Sequence, residues 1–359
     1  MHHRVKLSRV MRLAGSFAAC AIGSGFATGQ EIMQFFTSQG LISFLGTVVT
    51  ACIFAWCGAT FMKHGRERCL ATPDAVLAFY FGKKLGKVAA VLIQVFLYSV
   101  YVIMLAGAGA TLSEFFGWPP ALGRILIAAA TLLTVILGLS KAADVLGGVG
   151  TIIIIFAVGI GLIGFFRNPG GLLEAESILP TLELEKVSGG WLWSSILYPG
   201  YNAIVVIFLS CCLGAGADNR EEAVCGGALG GILFGLAILA MNLGLMTNLD
   251  LVGGLSVPTL ALAQDIHPMV ALVFSIIIFL GIYTTAVPML WGVVRQFAED
   301  RTRKSLFIAL GLTALGLVLS ITDFKKLVNI IYPFSGYAGV GLMILLAVRD
   351  ILTHRKKTA

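Results

Sequence analysis

Charge is what this chain has least of. Of its 359 residues, 12% are Asp, Glu, Lys or Arg and 58% are hydrophobic, with a mean hydropathy of +0.94. So few charges cannot cover the surface of a soluble domain of this length, which excludes that class. Catalytic signatures are missing as well. No P-loop, nucleophile elbow or HExxH pattern occurs, so an enzyme reading has no constellation to stand on. The seven cysteines, Cys20, Cys52, Cys57, Cys69, Cys211, Cys212 and Cys225, lack the spacing of a metal site, and His2, His3, His64, His267 and His354 fall in predicted tails or loops. All seven thiols lie in apolar segments or on the reducing side assigned below, which argues against disulfides.

What is present is long apolar runs. Segments of roughly 18 to 29 residues, enough to span a bilayer with some tilt, fall at about 10 to 37, 40 to 62, 88 to 116, 121 to 139 and 145 to 166. A second set falls at 191 to 212, 224 to 246, 269 to 293, 305 to 321 and 327 to 348. The expected fold is therefore all-α: a polytopic membrane protein of ten transmembrane helices, one transporter-like domain over 1–359. The first run is too long and too polar at Gln30 and Glu31 for a cleaved signal peptide.

Basic residues orient the chain. All but five of the 25 Lys and Arg (Arg124, Arg167, Lys186, Lys325 and Lys326) fall on one predicted face, in the terminal tails, the 63–87 and 295–304 loops, Lys141 and Arg220. The positive-inside rule makes both termini cytoplasmic. The net charge of +7 then reports topology and contacts with anionic lipid, as at Arg355, Lys356 and Lys357, and calls for no nucleic-acid partner. Two stretches between spans read as surface helices: 72–85, opening on Thr72-Pro73-Asp74, and 250–266, with Gly253, Gly254 and Pro258.

The ten spans divide five and five around the acidic 167–190 loop, giving repeats at 10–166 and 191–348. The opening span of each half is interrupted, by Gly23-Ser24-Gly25 in the first and by Tyr198-Pro199-Gly200-Tyr201-Asn202 in the sixth. Paired interruptions at matching positions point to an inverted repeat with spans one and six unwound around a midplane site. At the first break an opened backbone presents free carbonyls below and free amides above, with Ser24, Phe26, Thr28, Gln30 and Glu31 adjoining. Glycine packing between helices is the competing reading. At the second, Pro199 leaves the Ser195 carbonyl without its helical partner and Gly200 loosens the chain, against the simpler reading of a proline kink.

Two further spans carry polar stripes. Gln94, Tyr98 and Tyr101 share one face of span three and suit either a cavity wall or an interhelical bond. Span eight carries Gly281, Tyr283, Thr284, Thr285 and Pro288. The threonine hydroxyls either ligate a small alkali cation or bond back to their own helix. Glu31 is the one acidic residue well inside a span, since Glu114 and Asp144 lie near the edges. A carboxylate facing an apolar cavity has its charged form disfavoured. It can exchange a proton, bind a substrate ammonium group, act beside a cation or tie helices together.

The segment IGSGFATGQEIMQFF and the ten-span layout resemble the YkvI-type family of bacterial membrane proteins, in the amino acid/polyamine/organocation superfamily, and more distantly the sodium symporters of the leucine-transporter fold. The resemblance implies a multi-pass protein of the bacterial inner membrane. It also implies a secondary active transporter of a small organic solute, an amino acid or related amine, working by ion-coupled alternating access. A non-transporting sensor on the same scaffold is the alternative. Substrate would meet Gly23, Ser24, Gly25, Phe26, Thr28 and Glu31 on span one, Tyr98 and Tyr101 on span three, and Tyr198, Gly200, Tyr201 and Asn202 on span six. The fold's sodium site, carried over by position, would use the carbonyls of Ala19, Ile22 and Gly281 with the hydroxyls of Thr284 and Thr285. Proton coupling through Glu31 is the alternative, and no other cofactor is implied. The sequence departs from the distant symporters at Glu31 and around 198–202. Residues 145–166 also lack the lysine that some superfamily members use in place of sodium.

Overall fold

The structure is a computed structural model that describes residues 5–137 and 143–358. His2, His3 and Lys141 lie outside the described residues, as do the side chains of Asp144, His354 and the 355–357 basic cluster. The described residues form helices and connecting turns. The apolar run at the amino terminus becomes three short helices, α1 (Leu7–Ala21), α2 (Ser24–Thr28) and α3 (Gln30–Phe35). Then come α4 (Ser43–Arg68), α5 (Pro73–Phe116), α6 (Pro120–Leu137), α7 (Ala143–Arg167) and the short α8 (Gly171–Ile178). The second half contains α9 (Gly190–Ala215), α10 (Arg220–Met246), α11 (Leu249–Val252), α12 (Pro258–Ile266), α13 (Pro268–Phe297), α14 (Arg303–Leu319) and α15 (Phe324–Thr358).

Eight of these helices are long and apolar enough to cross a membrane by length and composition. The other two expected spans are the broken α1–α3 run and α14, which has 17 residues. Local chemistry sets the helix starts. The Thr72 hydroxyl accepts from Ala75 N at α5, Asn219 Oδ1 from Glu222 N at α10, and Thr302 forms a capping box with Ser305 at α14. The expected 72–85 surface helix is the first part of α5, which kinks at Gly82 (φ 70°) before the span begins. The expected 250–266 element is α11 and α12.

Helix packing rests on small residues, because between helices in lipid a close approach of backbones replaces the hydrophobic drive. Along α10, Gly227, Gly231 and Gly235 recur every four residues and lie against Gly58, Ala55 and Ala51 of α4. Gly226 and Gly230 turn to Leu13 and Phe17 of α1. Thus α1, α4, α9 and α10 form one packed group, while α5, α6, α13 and α14 form another. At one end of the first group Arg9 pairs with Asp218, Lys6 N donates to Glu222 Oε1 (2.9 Å), Arg220 pairs with Glu67 (2.8 Å) and Lys63 pairs with Asp350. These contacts put the beginning of α1 and the end of the α15 span on the same face. His64, expected in a loop, is instead fully buried in α4, 2.8 Å from the Tyr80 hydroxyl. The helix runs to Arg68, past the apolar stretch, and α5 folds back over it.

Candidate functional site

The first interruption is a true break. Helix α1 stops at Ala21; Ile22 (φ −85°, ψ 98°) and Gly23 (φ −93°, ψ −178°) are extended, and α2 restarts at Ser24. Ile22 N still reaches Ala18 O (2.9 Å), but the carbonyls from Ala19 onward have no continuing helical N–H to accept. A second break follows at Gly29, in the left-handed conformation (φ 78°), where Thr259 and Pro258 of α12 fill the space a side chain would need. The sequence reading placed one interruption here and passed over Gly29.

The double break folds Glu31 back. In an unbroken helix residue 31 would stand about 9 Å along the axis from residue 25 and on another face. Here the Glu31 Oε1 atom occupies the space beside Gly25 that a Cβ would take. The Glu31 carboxylate is buried, 6% exposed, and Oε2 accepts from Tyr201 (2.5 Å) and Tyr198 (3.3 Å). Tyr332 of α15 stacks on Tyr201 with ring centroids 4.6 Å apart and planes at 2°, and lines the same cavity as Glu31. Tyr332 was missed because nothing in the apolar α15 sequence distinguishes it from an interfacial tyrosine.

A cavity of about 240 Å³ lies beside this cluster. Of the expected residues, Ala19, Ile22, Gly23, Ser24, Gly25, Glu31, Tyr201, Asn202, Thr284 and Thr285 line it. The structure adds Phe96 and Met104 of α5, Ile153 of α7 and Met289 of α13. Among the described residues, Glu31 is the only one on the lining with a formal charge.

Other expected residues lie elsewhere. Tyr98 donates to Leu312 O of α14 (2.9 Å), and Tyr101 is buried against Gly316 of the same helix. That stripe is therefore an interhelical bond and not a cavity wall. Phe26 packs on Phe234 of α10, and the Thr28 hydroxyl donates to Gly25 O (2.7 Å). Thr284 donates to Gly281 O of its own helix (3.0 Å) while still facing the cavity.

The sixth span is not unwound. Helix α9 runs unbroken through Pro199, and the Ser195 carbonyl that proline leaves without a helical N–H accepts from the Thr50 hydroxyl of α4 instead (2.8 Å). Gly200 does not loosen the chain; it is the contact point at which α9 crosses Gly336 and Gly339 of α15. The structure thus shows a continuous helix carrying a proline, and no unwound segment.

On the side away from the termini the cavity is sealed. Phe35 and Phe36 pack edge-on against Tyr198, at 5.2 and 5.1 Å. Above them Gln34 Nε2 donates to Lys325 O (2.9 Å), Val187 N donates to Gln34 O (3.3 Å), and Thr259 of α12 donates to Ala27 O (2.5 Å).

The chain matches no protein-family model. It is homologous over nearly its whole length to two proteins of Bacillus subtilis (strain 168). It is 25% identical over 332 residues to the uncharacterized membrane protein YkvI, covering 92% of this chain and 93% of that one. With the uncharacterized protein YyaD it is 27% identical over 344 residues, covering 93% and 95%. Among solved structures, MhsT in complex with L-phenylalanine aligns with a TM-score of 0.63 at 16% identity, over 94% of this chain and 87% of that one. A substrate-bound, outward-open Na⁺-coupled sialic acid symporter aligns at 0.59 and 13% identity, over 96% and 82%. A mutant of the manganese transporter of Eremococcus coleocola aligns at 0.56 and 14% identity, over 97% and 78%. These likenesses establish the fold, that of the leucine transporter, on a multi-pass membrane protein; two of the three neighbours are named as a transporter and a symporter.

Proposed function

We propose that the protein is a secondary active transporter of a small organic solute, an amino acid or related amine, held in the cavity between the α1–α2 break and helices α5, α9, α13 and α15. The observation that carries this reading is a cavity at the break, walled by several helices and sealed on one side by packed aromatic rings. Such a site, closed to one face within a bilayer, is what alternating access requires. The neighbours whose names include an amino acid complex, a sodium-coupled symporter and a metal transporter support transport on this scaffold.

On this reading the chain is one domain of ten spans in a 5+5 inverted repeat, 10–166 and 191–348, with α1–α3 and α14 as the two spans outside the eight continuous ones. Both termini are cytoplasmic in a bacterial inner membrane. A cysteine placed at the exposed Ser188 should react with an impermeant thiol reagent on intact cells, while the exposed Cys69 should not.

Sodium is the coupling ion we favour. Ala19 and Ile22, whose carbonyls lack helical partners, line the same cavity as Thr284 and Thr285, and hard neutral oxygens of this kind suit an alkali cation. The Thr284 hydroxyl keeps its lone pairs available while donating to Gly281 O. Proton exchange at Glu31 is the competing mechanism. Uptake into liposomes under separately imposed sodium and proton gradients decides the matter. Sodium coupling predicts loss of sodium-driven uptake in the Thr284→Ala, Thr285→Ala double variant. It is overturned if that variant keeps full sodium-driven uptake, and proton coupling is overturned if Glu31→Gln still responds to a pH gradient. Ligand binding without uptake would favour a sensor.

A further inference from the structure

We infer that the site is selective for a small organic monocation, an amine without a carboxylate of its own, with Glu31 as the built-in counter-charge. The inference rests on the central cavity being the ligand site of the proposed transporter. It depends on where the protein's own carboxylate sits.

A zwitterionic amino acid brings one positive and one negative charge, and a cavity built for it needs a complement to each. Among the described residues this cavity has no Lys, Arg or His on its lining, and Glu31 supplies the only charge of the protein itself. The one positive group a ligand carboxylate could meet is therefore the proposed sodium ion, and the selectivity is read in sodium-free buffer. At the break itself the space beside Gly25 already holds Glu31 Oε1, so a ligand group lodged there meets the protein's own carboxylate. A ligand carboxylate there would lie in van der Waals range of a like charge.

The carboxylate is also held for use. Tyr201 and Tyr198 both donate to Oε2, fixing the group from the sealed side of the cavity. The stacked rings of Tyr201 and Tyr332 are both on the lining and stand beside the carboxylate, where aromatic faces attract a cation within about 6 Å. Asn202 commits its Nδ2 to Tyr198 O (3.0 Å), which leaves Oδ1 as an acceptor for a second ammonium N–H. The rest of the wall, including Phe96, Met104 and Met289, suits an alkyl or aryl body. A divalent metal fits the donors less well. The described residues contain no group of three or more His, Cys, Asp or Glu, and a single carboxylate with phenols does not make a hard-cation cage.

The test uses purified full-length protein and two matched ligand series: phenethylamine, L-phenylalanine and 3-phenylpropionate; and n-butylamine, L-norvaline and pentanoate. Ligand-dependent thermal shift gives the apparent affinities. In at least one series the amine should stabilise the protein with an affinity about 30-fold or more above that of the amino acid, and the acid should not bind. Glu31→Gln should remove the amine shift, while Ser177→Ala, on the exposed face of α8, keeps it. The inference is overturned if an amino acid binds as tightly as its amine, if Glu31→Gln retains amine binding, if Mn²⁺ alone gives the saturable shift, or if no amine of either series binds. Should Glu31→Gln fail to fold, the wild-type selectivity ratio still decides. Amine binding without uptake in liposomes would overturn transport and leave this inference standing, whereas selective uptake of the amino acids would do the reverse.

Discussion

Two interruptions that look alike in sequence behave in opposite ways. Both put glycine, with small or polar neighbours, inside a long apolar run, yet the chain opens at Ile22–Gly23 and stays helical through Pro199–Gly200. The difference lies in what surrounds each backbone. At Pro199 the orphaned Ser195 carbonyl meets the Thr50 hydroxyl, and Gly200 is pinned against α15, so a helix missing one hydrogen bond is still the lowest state. At Gly23 nothing lies within 4 Å of where a Cβ would stand, and residues 19–25 line a cavity. A weak point opens where neighbours leave it room, and is repaired where they supply the missing partner.

The contrast can be broken from either side. The largest expected effect is from Gly25→Leu. Its side chain must displace the Glu31 carboxylate, so uptake by reconstituted protein should fall about 100-fold or more while the protein still inserts and runs as a monodisperse peak. Unchanged uptake would return Gly25 to the packing residues. Next is Gly200→Leu, which drives a side chain into the α15 backbone. We expect a loss of about 3 kcal/mol or failure to accumulate in the membrane, read by expression and melting temperature. A stable Gly200→Leu protein that merely lost uptake would show that this glycine serves the site after all.

Smaller effects sharpen the comparison. Thr50→Val keeps the shape of the side chain but leaves the buried Ser195 carbonyl without a donor, which should cost about 1–3 kcal/mol in thermal or denaturant unfolding. If that cost is absent, Thr50 does not repair the proline site and another group must. The smallest effect belongs to Gly23→Ala. Its φ of −93° is open to any residue and its Cβ would meet nothing, so stability should stay within about 0.5 kcal/mol and uptake should persist. A severe loss at Gly23 would mean that the open space beside it is needed by a ligand.

The larger frame of this molecule was legible in its residues, and particular elements show why. The boundaries of α4, α6, α7, α9, α10, α13 and α14 follow from apolar length and from caps such as Asn219 and Thr302, because in a bilayer every backbone group must be satisfied within its own segment. The Gly23-Ser24-Gly25 break and the lone Glu31 also stood out, since polar groups inside apolar runs are costly. Tyr98 and Tyr101 were misplaced because a polar stripe gives a helix face but not the helix it meets. Gly29 was missed because one glycine among 43 shows its left-handed φ only when α12 packs against it.

By itself the sequence determined an all-helical membrane chain, the approximate limits of its spans, the face rich in basic residues and the segment where the first span yields. These follow from one-dimensional quantities: apolar length, helix propensity and the position of charge. Only the tertiary structure decided that Glu31 turns back onto Gly25, that Tyr198 and Tyr201 meet at its carboxylate with Tyr332 stacked behind, and that the sixth span stays closed. Each of those outcomes depends on a hydrogen bond or a steric contact between residues far apart in the chain, 167 positions for Tyr198 and Glu31 and 145 for Thr50 and Ser195, and no local pattern records such a pairing.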